Sequence, residues 1–318
     1  MTPELERQLR ESISAGLDYI LTLQATDGNW TDWNLPPGNS LAWTTGYVGF
    51  KLHYLPDEWA EKAAPATLAG SNWLLRNQFP DGGWGYNELV GSDADSTAFA
   101  ILCLTSTGLE APDSAYNHLT QYHCSDGGFS TYYCKGVRNS WGVSHPDVTP
   151  VVLRALLTKH STGECVLSDG VKYVLRQKTK EGIWNSFWWD SHLYSTEANL
   201  SLLTIVKPHH ELKVTEEVLC QLGPSKVFEV ALLISSLLHI ATPRARAAVP
   251  PLLEQIIRQQ QPDGGWISDL ILRITNRDCF KPWACSNAGP VFSDPQRLFT
   301  SSAALAALSM AYSARVLG

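Results

Sequence analysis

Apolar residues recur at helical spacing in two kinds of segment. In AGLDYILTLQ (15–24), AGSNWLLRNQ (69–78), DGVKYVLRQ (169–177) and LLEQIIRQQ (252–260) they fill one face, and polar or charged residues fill the other. The second kind is apolar most of the way round and rich in Ala, Ser and Thr. It comprises residues 40–55, 95–109, 147–159, 193–206, 226–241 and 298–312. A helix of that kind is buried on several sides. The two kinds alternate. The pattern therefore predicts an all-α fold, an (α/α)6 barrel with six inner and six outer helices, as one domain over residues 1–318.

Each one-faced helix ends in the same way. The stop signals read LQATDGNW (23–30), NQFPDGGW (77–84), YHCSDGGF (122–129), RQKTKEGIW (176–184) and QQQPDGGW (259–266). Asp-Gly or Glu-Gly supplies the turn, because glycine accepts positive φ. The aromatic is expected to pack back as structural glue, and the Gln to bond the exposed helix end. The last interval is long enough for a sixth copy, and EEVLCQLGPSK (216–226) fits as a degenerate one. Repeats of this length stack as supersecondary units around one core.

In such a ring every inner helix starts at the same rim. The longest loops, 31–39, 130–146, 185–192 and 267–296, then gather at one mouth, where function usually resides. They carry Trp33, Tyr132, Trp141, Trp188, Trp189, Trp283 and Phe292 among their aromatics. Twelve tryptophans in 318 residues need that explanation. Net charge is −7 with no basic run, which argues against a nucleic-acid partner. No stretch is apolar for long enough to span a bilayer. Seven cysteines, an odd number without framework spacing, suggest reduced thiols in a cytoplasm.

GSDADSTAFAIL (91–102) places two carboxylates where an inner helix begins. Taken alone, Asp93 and Asp95 read as helix caps. With the repeats beside them, the chain resembles the class II terpene cyclases. The Q-x(2–5)-D/E-G-x-W signal resembles the QW motif of squalene–hopene and oxidosqualene cyclases, and DADST (93–97) resembles their DxDD(T) acid motif. The resemblance spans one barrel, as in the single-domain meroterpenoid cyclases of cyanobacteria, the merosterolic-acid-synthase type.

That resemblance implies metal-free, protonation-initiated cyclisation of a polyprenyl chain, such as a prenylated aromatic acid. It implies Asp95 as proton donor and Asp93 as the neighbour that orients it. It places Tyr86, Tyr132, Trp188 and Tyr194 on pocket aromatics, and Asp147 on the aspartate of the family's D-V-T-A-H helix. Two positions depart from the pattern: the fourth motif aspartate is Ser96, and the acid-supporting histidine is Val151. Trp43, Phe99, Phe228 and Phe299 on the inner helices complete the expected substrate lining. His145, two residues before Asp147, is a candidate to approach the acid, although a lone loop histidine is more often solvated. His209 and His210 read as surface.

The chemistry demands a neutral carboxylic acid in a dry cavity. An ordinary Asp, with pKa about 3.9, is ionised at neutral pH. Burial and a second carboxylate raise it; a helix N-terminus lowers it by a smaller amount. Aromatic faces tolerate a carbocation at about 0.5–2 kcal/mol each. The expected partner is a small isoprenoid, with peripheral membrane contact at the mouth and no cofactor. Of the rim basics Lys135, Arg138, Arg273, Arg277 and Lys281, one could meet a substrate carboxylate. Two rivals stand beside this reading. A prenyltransferase β-like subunit would need a zinc site, and no histidine follows Asp278-Cys279 to complete one. A non-catalytic isoprenoid-binding toroid would have no use for two buried acids.

Overall fold

The computed structural model describes residues 2–133, 139–159, 164–206 and 212–316. In chain order its helices are α1 (Pro3–Thr22), α2 (Ala42–Leu52), α3 (Asp57–Arg76), α4 (Ala94–Ser106), α5 (Asp113–Thr120), α6 (Thr149–Leu157) and α7 (Glu164–Gln177). Then come α8 (His192–Val206), α9 (Lys213–Leu219), α10 (Val227–Ile240), the short α11 (Pro243–Ala247), α12 (Val249–Arg258) and α13 (Leu298–Val316). Two antiparallel hairpins decorate the rim: β1 (Asp32–Leu35) with β2 (Gly38–Ser40), and β3 (Leu272–Arg273) with β4 (Val291–Phe292).

Helices α2, α4, α6, α8, α10 and α13 each pack on the next, and α13 returns to α2, which closes an inner ring. The outer layer is α1, α3, α5, α7, α9 and α12, with α11 as an extra turn. The inner helices lack a polar face for a visible reason: every residue of α2 is buried, as is every residue of α8 from Leu193 to Leu203. Gly46 lets α2 approach α4 closely, since a Cβ there would meet the backbone carbon of Phe99 at 2.8 Å.

The stop signals weld the layers together. The indole N–H groups of Trp30, Trp84, Trp184 and Trp266 donate to Ile20, Leu74, Val174 and Ile256, carbonyls near the end of the preceding outer helix. Their backbone N–H groups donate to Thr45, Thr97, Thr196 and Ser301 on the following inner helix, and Phe129 does the same to Thr149. The motif glutamines serve the turn and the neighbouring helix rather than their own helix end. Gln24 donates to the carbonyls of Gly28 and Ala66, and Gln260 to those of Gly264 and Ser12. This last contact brings the final repeat onto α1 and closes the outer layer. Gly264, at φ +90°, has no room for a side chain there: a Cβ would lie 2.2 Å from the carbonyl oxygen of Ala15.

Cys279 and Cys285 are joined as a disulfide, so the reduced state expected for every cysteine does not hold for this pair. They stand six positions apart, so the bond closes a small loop. No helix among the described residues is long and apolar enough to cross a membrane.

Candidate active site

The start of α4 divides the two readings of its aspartates. Asp93 is the N-cap: Oδ1 accepts from the Ser96 N–H and Oδ2 from the Ser96 hydroxyl, both at 2.7 Å. Its own N–H donates to the Trp84 carbonyl, and the Ala94 N–H donates to that of Thr131, so the helix start is pinned between two loops. Asp93 is therefore held by Ser96 and by the Asp95 backbone N–H, and its carboxyl does not bond the Asp95 carboxyl. Asp95 caps nothing and faces a cavity at the rim.

That cavity has a volume of about 320 Å3, within the range of small-ligand sites. All four long loops contribute to it, through Pro36 and Pro37, Thr131 and Tyr132, Trp188 and Trp189, and Leu272 and Ile274. Trp43, Tyr86 and Trp141 add further aromatic wall. Its polar lining is Asp93, Asp95, Asp147, Ser96 and Thr131.

The carboxylates differ in environment. Asp95 has one donor, the Trp43 indole N–H on Oδ2 at 2.8 Å, and its Oδ1 is buried without a partner. It exposes a little surface to the cavity but is enclosed by protein on the longer scale that sets its electrostatics. Burial, then the charges of Asp93 and Asp147, push its pKa well above the ordinary range, against the opposing Trp43 bond. Asp93 and Asp147 are each raised by burial to about 6, with hydrogen bonds resisting. Asp147 Oδ2 accepts from the N–H groups of Phe187 and Trp188 at 2.8 and 2.7 Å, so it holds the 185–192 loop instead of capping its own helix; Oδ1 is unpartnered. Of the three, Asp95 is the carboxyl whose surroundings most favour the neutral acid, while the hydrogen bonds to Asp93 and Asp147 favour their charged forms.

Behind the wall runs a chain of hydrogen bonds that no sequence motif marks. The Trp188 indole N–H meets the Thr131 hydroxyl at 2.7 Å; that hydroxyl meets His145 Nδ1 at 2.7 Å, and His145 Nε2 meets the Ser140 carbonyl at 2.8 Å. The carbonyl can only accept, so Nε2 carries the proton and Nδ1 accepts from Thr131. His145 is fully buried, stacked on Phe187 at 3.9 Å, and depressed by burial to about 4. It is neither solvated nor bonded to an acid: it orients the wall as a neutral imidazole.

Of the expected lining, Tyr86, Tyr132, Trp188, Trp43, Ser96 and Asp147 meet the cavity with the two acids. Tyr194, Phe99, Phe228 and Phe299 do not. The reason is steric: loop tryptophans fold into the bore above them. Trp189 stacks on Tyr194 at 4.0 Å and on Phe228 at 5.3 Å. Phe299 is packed between Tyr47 and Trp43, with Trp33 on its edge, and Phe99 lies against Tyr47 and Phe50. The pocket is consequently shallower than a free bore would allow: Trp33 is buried behind the wall, and Trp189 lines the cavity while pressing on the rings below it. Trp283 is exposed, and Phe292 stays outside the cavity wall. Among the rim cations, Arg273 is buried and bonded to Asp190 and the Trp189 carbonyl, while Arg277 lies over the Trp141 ring at 4.7 Å and Lys281 is exposed. Lys135, Arg138, His209 and His210 lie outside the described residues. Cys279, locked in its disulfide, has no thiolate to offer a zinc ion.

No family model matches the chain. It is 26% identical over 255 residues to the drimenyl diphosphate synthase of Streptomyces showdoensis, which is 71% of this chain and 45% of that protein. It is 25% identical over 197 residues to the squalene–hopene cyclase of Bradyrhizobium diazoefficiens, covering 50% of this chain and 30% of that one. The matches thus span less than half the length of these curated relatives. Among solved structures, the type II terpene cyclase MstE from Scytonema superposes with a TM-score of 0.83 at 24% identity, over 97% of this chain and 99% of that one. A complex of a MstE variant with geranylgeranyl dihydroxybenzoate, its substrate, gives 0.85 at 22%, over 98% and 100%. A protein from Actinoplanes gives 0.86 at 23%, over 95% and 99%. The fold is therefore the terpene-cyclase helical toroid.

Proposed function

We propose that this chain, taken as one catalytic domain, is a class II terpene cyclase in which Asp95 protonates the terminal double bond of a polyprenyl chain. The observation that carries the reading is Asp95 itself: an enclosed carboxyl with a raised pKa and a bare oxygen, on a cavity walled by aromatic rings. Among the described residues a proton on Oδ1 has no acceptor, which leaves it free for a ligand.

The alkene π pair forms the new C–H bond and Asp95 is left as the carboxylate. The Trp43 indole N–H then bonds a full negative charge, a stronger interaction than it makes with the neutral acid. Asp93, fixed by Ser96, keeps its charge nearby, which raises the Asp95 pKa and so keeps the proton in place until an alkene is there to take it. The tertiary cation is attacked by successive double bonds. The faces of Trp43, Tyr132, Trp188 and Trp189 stabilise it without offering a nucleophile. Loss of a proton ends the sequence, so substrate and product are isomers and no metal or cofactor is consumed.

A prenylated aromatic acid is the substrate class best supported. MstE takes geranylgeranyl dihydroxybenzoate, and Arg277, exposed on the Trp141 face of the cavity wall, is suited to a carboxylate at the mouth. Ile267, Leu270, Phe280 and Trp283, all exposed and all in the 267–296 segment, support contact with a membrane that stores such substrates. The test is purified protein with a panel of prenylated aromatic acids, prenyl alcohols and terminal epoxides, chelator present, analysed by mass spectrometry. New isomers of unchanged mass are expected from the wild type and none from Asp95→Asn. Equal turnover in that variant would remove Asp95 from its role, and a panel without isomers would remove the cyclase reading.

A further inference from the structure

At the opposite end of the barrel, where the inner helices finish, the described residues form a second crevice of about 440 Å3. Its wall comes from the ends of five inner helices, including Tyr54 beyond α2, Ser106 on α4, Arg154 on α6, Thr204 on α8 and His239 on α10. The two sites have opposite character. Among the described residues the rim cavity is lined by three acids and no base, while this crevice is lined by Arg154, His53 and His239 and by no acid. In a chain of net charge −7 a base-only pocket calls for a cause.

Arg154 is the centre of it. Its Nη2 donates to the Tyr54 hydroxyl at 3.0 Å and its guanidinium lies over the Phe50 ring at 4.8 Å. Its Nε is buried with no acceptor among the described residues, and no described carboxylate lies within ion-pair distance, although its charge reaches Glu197. Arg154 as a whole is half-buried, but an N–H taken out of water ordinarily finds an acceptor. The nearby acid, Glu197, is already engaged by Lys51 at 3.8 Å and by the half-buried His239 at 3.4 Å, Lys51 and Glu197 themselves being buried. Helix C-termini favour cations by about 0.3–1 kcal/mol each, which explains positive charge at this pole. They do not explain a buried N–H without an acceptor beside an open crevice ringed by hydroxyls.

We propose that this crevice binds a small dissolved amphiphilic anion, a phosphate monoester or carboxylate on a short apolar stem. Arg154 holds the anionic group, with Tyr54 beside it, and Phe50, Leu102 and Ile205 pack along the stem. The site is separate from Asp95, and this inference stands or falls independently of the cyclase reading.

The probes are inorganic phosphate, butyl phosphate, hexanoate and butanol, titrated calorimetrically into the full chain. Butyl phosphate or hexanoate is expected to bind saturably, more tightly than inorganic phosphate, with butanol silent. Arg154→Gln is expected to weaken binding at least tenfold. Thr158→Glu, which sets a carboxylate one helical turn from Arg154, supplies an internal occupant; it is expected to abolish binding while raising the melting temperature, and it covers the case in which Arg154→Gln fails to fold. No saturable binding by either anion, or affinity unchanged in the folded variants, overturns the proposal. So does capture by phosphatidylglycerol vesicles without binding of dissolved butyl phosphate, since that would assign the charge to a lipid surface.

Discussion

Trp43 of α2 and Asp95 of α4 meet across neighbouring inner helices, indole N–H to Oδ2, at 2.8 Å. A donor to a carboxylate is worth more than one to a neutral acid, so under the proposed mechanism the bond strengthens as Asp95 gives up its proton. A hydrogen bond to a charged group contributes about 1.5–3 kcal/mol. Trp43→Phe should therefore lower kcat about ten- to hundredfold, with cyclised product still formed. Removing the donor also raises the Asp95 pKa further, so the alkaline limb of the pH–rate profile should move to higher pH. An unchanged limb would show that this bond does not govern the acid.

Asp147 gives a stability test with a defined sign. Its folded pKa is about 6, against about 3.9 for an unfolded aspartate. Its contribution to stability is fully present below pH about 4 and is lost as pH rises through about 6. Asparagine keeps an acceptor for the Phe187 and Trp188 N–H groups without the charge. Asp147→Asn should thus be more stable than wild type at pH 7.5, by up to about 3 kcal/mol. The difference should close near pH 4. Urea titrations at the two pH values measure it, and equal stability at pH 7.5 would contradict the burial argument.

Trp189 separates the rim cavity from the lower bore, because Tyr194 and Phe228 stack beneath it. Trp189→Ala should open the cavity downward to these rings. The variant should accept a longer prenyl chain than wild type in competition assays, at a cost of about 3–5 kcal/mol in stability. A chain-length preference that does not move would mean that Trp189 is not the floor.

Trp266→Phe tests the weld that closes the ring. It leaves the Ile256 carbonyl without its indole donor and a gap beside Gly16. A loss of about 2–4 kcal/mol is expected, with activity per folded molecule unchanged, as calorimetry and initial rates would show.

The fold was legible because its signals are local. An apolar face, a Gly at a tight turn and a Trp that returns to the preceding helix each fit within about a dozen residues. Even the degenerate sixth repeat marks a real pair, α9 and α10. The site was legible on the inner helices: Trp43, Asp93, Asp95 and Ser96 meet the cavity from their own helix starts. It failed where loops choose their depth. Nothing in Trp188-Trp189 tells which of the two will press down on Tyr194, and so Tyr194 and Phe228 read as lining. The Thr131–His145–Trp188 chain joins two loops through a threonine with no motif of its own. The Cys279–Cys285 bond was hidden by an odd cysteine count.

The central claim is that Asp95 delivers a solvent-exchangeable proton to carbon. Turnover of an accepted substrate in deuterium oxide, with the product examined by mass spectrometry and NMR, tests it most directly. The account predicts one deuterium at the carbon of the former terminal alkene in wild-type product, and no labelled product from folded Asp95→Asn. Product without deuterium at that carbon, or labelled product from the Asn variant at the wild-type rate, would contradict it.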